Sequence, residues 1–149
     1  MPAHARLGKM FSMLTGDLRA ARVLVVDDHV DTADVMQMFL AHAGYTARAA
    51  YSGGEALALE RQYAPDLAIL DIRLPDMDGY ELARRLRAAA GARSLWLIGL
   101  SGYAAPNHAL AACFDEMARK PIRGDDLLGI MRRFGPRRAP RPRGAIWSV

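Results

Sequence analysis

Residues 64–87 read APDLAILDIRLPDMDGYELARRLR. Within this stretch Leu67-Ala68-Ile69-Leu70 is an unbroken apolar run that stops at Asp71. A short run with no polar alternation, bounded by turn residues, is the pattern of a strand buried on both faces of a parallel sheet. The LPDMDG segment that follows supplies Pro, Asp and Gly for a turn. Asp78 then stands where a helix needs its N-cap, ahead of Leu82, Leu86 and Ala89 on one helical face. Strand, turn and helix occur here in the order of a βα unit.

The same order repeats in both directions along the chain. Val23-Leu24-Val25-Val26 ends at Asp27 and Asp28, and Leu95-Trp96-Leu97-Ile98-Gly99-Leu100 ends at Ser101. A weaker strand over 117–119 ends at Lys120 and Pro121. Strands are expected over 22–27, 45–49, 66–71, 95–100 and 117–119, and helices over 31–43, 54–62, 79–89, 106–112 and 123–134. Asp31 or Thr32 is expected to cap the first helix and Ser52 the second, with Gly44 closing the first. Ala56, Leu57 and Leu59 are expected to face inward. Five βα units make an α/β fold with a doubly wound, five-stranded parallel sheet. In such sheets ligands bind outside the carboxyl ends of the strands. Asp27, Asp28, Asp71, Ser101 and Lys120 all fall at that edge. Crowded carboxylates repel unless a cation joins them, and hard oxygen donors suit Mg²⁺. Acids facing a lysine are suited to phosphoryl transfer onto one carboxylate.

Composition narrows the class of chain. The sequence has 149 residues, 52% hydrophobic and 24% charged, which is globular and of single-domain size. Cys113 is the lone cysteine, so neither an intrachain disulfide nor a cysteine zinc site can form. No apolar run reaches the ~20 residues of a membrane span. MFSMLTG is too short, and too soon followed by Asp17 and Arg19, for a signal peptide, so a cytoplasmic location is expected. Against a whole-chain charge of +4, residues 132–149 hold six arginines and no acid, leaving residues 1–131 at −2. The basicity is local, which argues against a nucleic-acid-binding body. Only Lys9 and Lys120 are lysine among 20 basic residues. A site that needs a compact ammonium beside a phosphoryl oxygen would keep Lys where Arg serves elsewhere.

The segments VLVVDDHVDTADV, APDLAILDIRLPDMDGYELARRLR, LIGLSGY and RKPI together resemble the receiver domain of two-component response regulators, the chemotaxis-type (CheY-like) family. The resemblance covers residues 21–134. It implies a flavodoxin-like sheet of order 2-1-3-4-5, which places Asp28 and Asp71 on neighbouring strands. It implies Asp71 as phospho-acceptor and Asp27 and Asp28 as the acidic Mg²⁺ pair, with the backbone carbonyl of Arg73 completing the protein ligands. Ser101 is implied to hydrogen-bond the phosphoryl group and Lys120 to pair with it. The implied partner is a sensor histidine kinase or a histidine phosphotransfer protein. The implied role is signalling rather than enzymatic. Arg73 and Tyr103, two residues past Asp71 and Ser101, offer no carboxylate or amide to orient an attacking water, so slow autodephosphorylation is expected. Two features depart from the family. Residues 101–120 are about one helical turn short, and Met117 stands where many receivers carry Tyr or Phe.

The same residues bear on other readings. A non-phosphorylated pseudo-receiver would not need the acids, Ser101 and Lys120. An aspartate-nucleophile phosphatase of the haloacid dehalogenase type would need a second Asp at the place of Arg73. His29, His42 and His108 are too scattered for a metal site. Asp66 lies at the wrong end of its strand, and Asp76 and Asp78 read as turn and cap. Cys113 reads as a small core residue. Outside the receiver stretch, residues 1–20 are an extension in which Leu7, Met10, Phe11, Leu14 and Leu18 have helical spacing. The Pro- and Arg-rich residues 135–149 are expected to be disordered, with the composition to meet an anionic partner. No DNA-binding module is expected after residue 134.

Overall fold

The computed structural model describes residues 21–102 and 111–134. The helically spaced apolar residues of the 1–20 extension, the helix expected over 106–112, Tyr103 and the 135–149 tail lie wholly or mostly outside them. The elements run β1 (Arg22–Val26), α1 (Val30–His42), β2 (Thr46–Ala50), α2 (Gly53–Tyr63), β3 (Leu67–Asp71), α3 (Gly79–Ala90), β4 (Trp96–Ser101), β5 (Glu116–Arg119) and α4 (Gly124–Met131). The five strands form one parallel sheet of order β2-β1-β3-β4-β5, as the family resemblance implies.

Alternate residues of each central strand feed two cores. Val23, Val25, Ile69, Ile98 and Leu100 point to one face, where α1 and α4 deliver Ala33, Leu40, Leu127 and Met131. Leu24, Val26, Ala68, Leu70 and Leu97 point to the other, where α2 and α3 deliver Ala56, Leu82 and Leu86. Truncating one such buried leucine costs about 2–5 kcal/mol. Leu57 and Leu59 are half-buried against this second core.

Local signals fare unevenly. Ser52 Oγ accepts from Glu55 N at 3.1 Å and Asp78 Oδ1 from Tyr80 N at 2.6 Å, so both expected caps are in place. Gly44, just past α1, has φ 102°, a left-handed conformation that glycine adopts without a Cβ penalty. The cap of α1 is corrected. Val30 is the first helical residue, His29 is the N-cap without a side-chain cap bond, and Asp31 lies in the first turn. The turn after β1 closes early because Asp27 Oδ1 accepts from His29 N at 2.9 Å. Ala89 is exposed, and Ala83 and Ala90 pack inward in its stead. The last helix ends at Met131 rather than 134, and Phe134 stacks on Trp96 with ring centroids 5.2 Å apart.

Candidate functional site

Strand register assembles the site. Val26 is level with Leu70, Asp71 with Leu100, and Ser101 with Arg119. Asp27, Asp71, Ser101 and Lys120 therefore leave the sheet side by side. Carboxylate oxygens of Asp27, Asp28 and Asp71 lie within 4.8 Å of one another. Asp27 is buried, Asp71 half-buried and Asp28 exposed, so the cluster opens to solvent on the Asp28 side.

Lys120 spans the cluster from β5. Its Nζ donates to Asp27 Oδ2 at 2.8 Å and to Asp71 Oδ2 at 3.1 Å. The main chain brings it there, because Lys120 N donates to Ser101 O at 2.8 Å. Burial acts to depress the Lys120 pKa. The hydrogen bond to Asp27 and the charges of Asp71 and Asp27 outweigh it, and the ammonium titrates above its usual range. Ser101 is 5% exposed at the end of β4. Three carboxylates facing one ammonium leave two negative charges, which one divalent cation balances. An all-oxygen donor set with solvent on one side suits Mg²⁺, which keeps several of its waters.

The loop after Asp71 is held at several points. Arg73 N donates to Asp71 Oδ1 at 3.1 Å, which puts the Arg73 peptide at the acceptor carboxylate. Gly79 N donates to Ile72 O at 2.9 Å. A Cβ on Gly79 would stand 2.6 Å from Ile72 Cα and 2.7 Å from Asp71 O, so no larger residue fits without moving the acceptor strand. Asp76 does more than turn the chain. Its Oδ1 accepts from Gly53 N and its Oδ2 from Gly54 N, both at 2.9 Å. The amides of Gly53 and Gly54 pull its pKa below the usual carboxylate range. Sequence reasoning missed this contact. Its faint signal was the pair of glycines after Ser52, which leaves the first amides of α2 open to a carboxylate from elsewhere. Met117, in β5, is level with Gly99 of β4, and a Cβ on Gly99 would stand 2.5 Å from its sulfur.

The sequence matches the response regulator receiver domain model over residues 23–132. The chain belongs to that family. Receiver domains are signalling modules that interact with histidine kinases or phosphotransfer proteins. The virulence sensor protein BvgS of Bordetella pertussis is 41% identical over 114 residues, covering 71% of this chain and 9% of BvgS. This chain thus spans a small part of that relative. A response regulator receiver domain protein (CheY-like) from Methanospirillum hungatei superposes with TM-score 0.70 at 32% identity, covering 76% of this chain and 92% of that one. The response regulator TrrA of Thermotoga maritima, solved in complex with Mg²⁺-BeF, gives 0.68 at 29%, covering 76% and 97%. Among the described residues no helix is long and apolar enough to cross a membrane.

Proposed function

We propose that this receiver accepts a phosphoryl group on Asp71 from a sensor histidine kinase or a histidine phosphotransfer protein. The observation that carries the reading is the meeting of Asp27, Asp28 and Asp71 under the ammonium of Lys120. In the transfer, a carboxylate oxygen of Asp71 forms the new bond to phosphorus. The bond from phosphorus to the donor imidazole nitrogen breaks, and that nitrogen keeps the electron pair. Lys120 meets the negative charge on the phosphoryl oxygens, and the Ser101 hydroxyl hydrogen-bonds one of them. Asp27 and Asp28, with Asp71 and the Arg73 carbonyl, would hold Mg²⁺. When bound, the ion neutralises charge on the transferring group.

The receiver then signals by relay to a further phosphotransfer partner or by binding one, in the cytoplasm. Arg73 and Tyr103 lie two residues past Asp71 and Ser101 and offer no carboxylate or amide to orient an attacking water. Slow self-dephosphorylation follows from that. The basic composition of residues 135–149 suits an anionic partner. The deciding experiment is labelling of the chain by acetyl phosphate with and without Mg²⁺. Wild type should label only with Mg²⁺, and Asp71→Asn should stay at background. Label on Asp71→Asn would defeat the assignment.

A further inference from the structure

Asp76 sits five residues past the acceptor, and each oxygen of its carboxylate accepts a backbone amide from α2. It takes the Gly53 and Gly54 amides, while Ser52 Oγ takes Glu55 N and Ser52 O takes Ala56 N. The Glu55 side chain reaches back to accept from Tyr51 N at 2.9 Å. Every amide in the first turn of α2 therefore has an acceptor, and two of those bonds come from the loop after β3. First-turn amides have no partner within their own helix, and together with the helix dipole they favour a negative charge at this end of α2. The neighbouring Met77 lies against Gly53, where a Cβ would stand 2.5 Å from its Cγ. Leu74 and Met77 pack on the second core. Residues 72–78 are thus tied to the sheet at Ile72 and to the start of α2 at Asp76. Between those ties lies the Arg73 peptide, whose amide rests on Asp71.

We propose that Asp76 is a positioning residue for the acceptor site. Its grip on the start of α2 fixes residues 72–78, and with them the Arg73 peptide, against Asp71. The metal-binding part of this inference rests on the proposed function; the placement of the Arg73 amide does not. The charge matters as well as the shape. A carboxylate accepts both glycine amides, whereas an Asn amide offers one acceptor oxygen and a competing NH₂.

Amide hydrogen exchange of the full chain without metal, combined with a Mg²⁺ titration, tests it. Asp76→Ala should speed exchange at Arg73 by about tenfold relative to wild type and weaken Mg²⁺ binding by about tenfold, as loss of an outer partner does at metal sites. Asp76→Asn should fall between wild type and Asp76→Ala. Ser52→Ala is the control, since it uncaps α2 without touching the loop. It should lower the melting temperature while leaving Arg73 exchange and Mg²⁺ affinity as they were. If both Asp76 variants melt lower but keep wild-type exchange at Arg73, Asp76 is a helix cap only and the proposal is overturned. Wild type that binds no Mg²⁺ would instead sink the metal reading, and Arg73 exchange would still decide this one. An Asp76→Ala chain too unstable to measure leaves Asp76→Asn to give the answer.

Discussion

Two ion pairs hold opposite ends of one sheet, and they differ in almost every respect. At the carboxyl end Lys120 lies between two carboxylates, with a third nearby and solvent beyond. At the amino end Arg93, in the turn before β4, pairs with Glu60 of α2 and also donates to the carbonyl of Pro65. The Glu60 side chain is 2% exposed, and its Oε2 has no hydrogen-bond partner among the described residues. The first arrangement has surplus negative charge, a compact cation and room for change. The second is a planar cation clamped on one acid and one carbonyl, with nothing to exchange. A lysine can shift among several oxygens, while an arginine fork is committed by its geometry. The difference teaches that the chain places lysine where charge must be redistributed and arginine where two loops must be braced.

That contrast breaks most visibly if the cation at the working end is changed in shape alone. Lys120→Arg keeps the charge, but a guanidinium is too wide for the gap between Asp27 and Asp71. The amide-shift changes that a phosphoryl mimic induces around Ser101 should disappear, while labelling of Asp71 persists. NMR titration with the mimic checks this, and a wild-type response would remove the role given to the lysine.

The brace should fail in the opposite manner. Arg93→Ala leaves Glu60 buried and unpaired, at a cost of about 3 kcal/mol, the lower end for such a break because Arg93 is itself partly exposed. Glu60→Met leaves only that partly exposed arginine, which water can reach, and should cost about 1 kcal/mol or less. Urea denaturation measures both. Acetyl phosphate labelling of the folded variants should match wild type. Equal losses in the two variants would contradict the asymmetry.

A smaller effect joins stability to chemistry. Gly79→Ala pushes a methyl into the backbone of Ile72 and Asp71, costing about 1–3 kcal/mol, and should slow labelling of Asp71. A variant that is destabilised but labels at the wild-type rate would show that β3 absorbs the shift.

The smallest effect is on pH dependence. The Asp76 pKa is lowered in the folded chain, so its contribution is fully present above the ordinary Asp value of about 3.9. It is lost as pH falls from there through the depressed value. The stability gap between wild type and Asp76→Asn should be open at pH 7 and close below about pH 4. A gap that widens in acid would reverse the sign.

The sequence made some of this plain. Unbroken apolar runs ending at Asp27, Asp71 and Ser101 disclosed both the parallel sheet and its functional edge, because a strand buried on both faces leaves no polar residue until it emerges. Lys120 stood out by type in a chain otherwise built with arginine. What stayed hidden were contacts between segments far apart in sequence. Glu60 and Arg93 are 33 residues apart and neither has a local signal. Asp76 looked like turn chemistry because its partners belong to another helix. The misplaced cap of α1 had a different cause, since the Asp27 side chain took over the turn that Asp31 was expected to start.

The strand-end register also governs when the site comes into being. Lys120 and Asp27 are 93 residues apart, and the bond between them closes across almost the whole sheet. Contacts so distant are costly to form early in folding. On a ribosome the acids emerge long before the lysine, and until β5 docks they face one another without their cation. A chain cut short before Lys120 would hold all three carboxylates and no counterion, so the last strand to be made completes both the sheet and the charge balance of its edge.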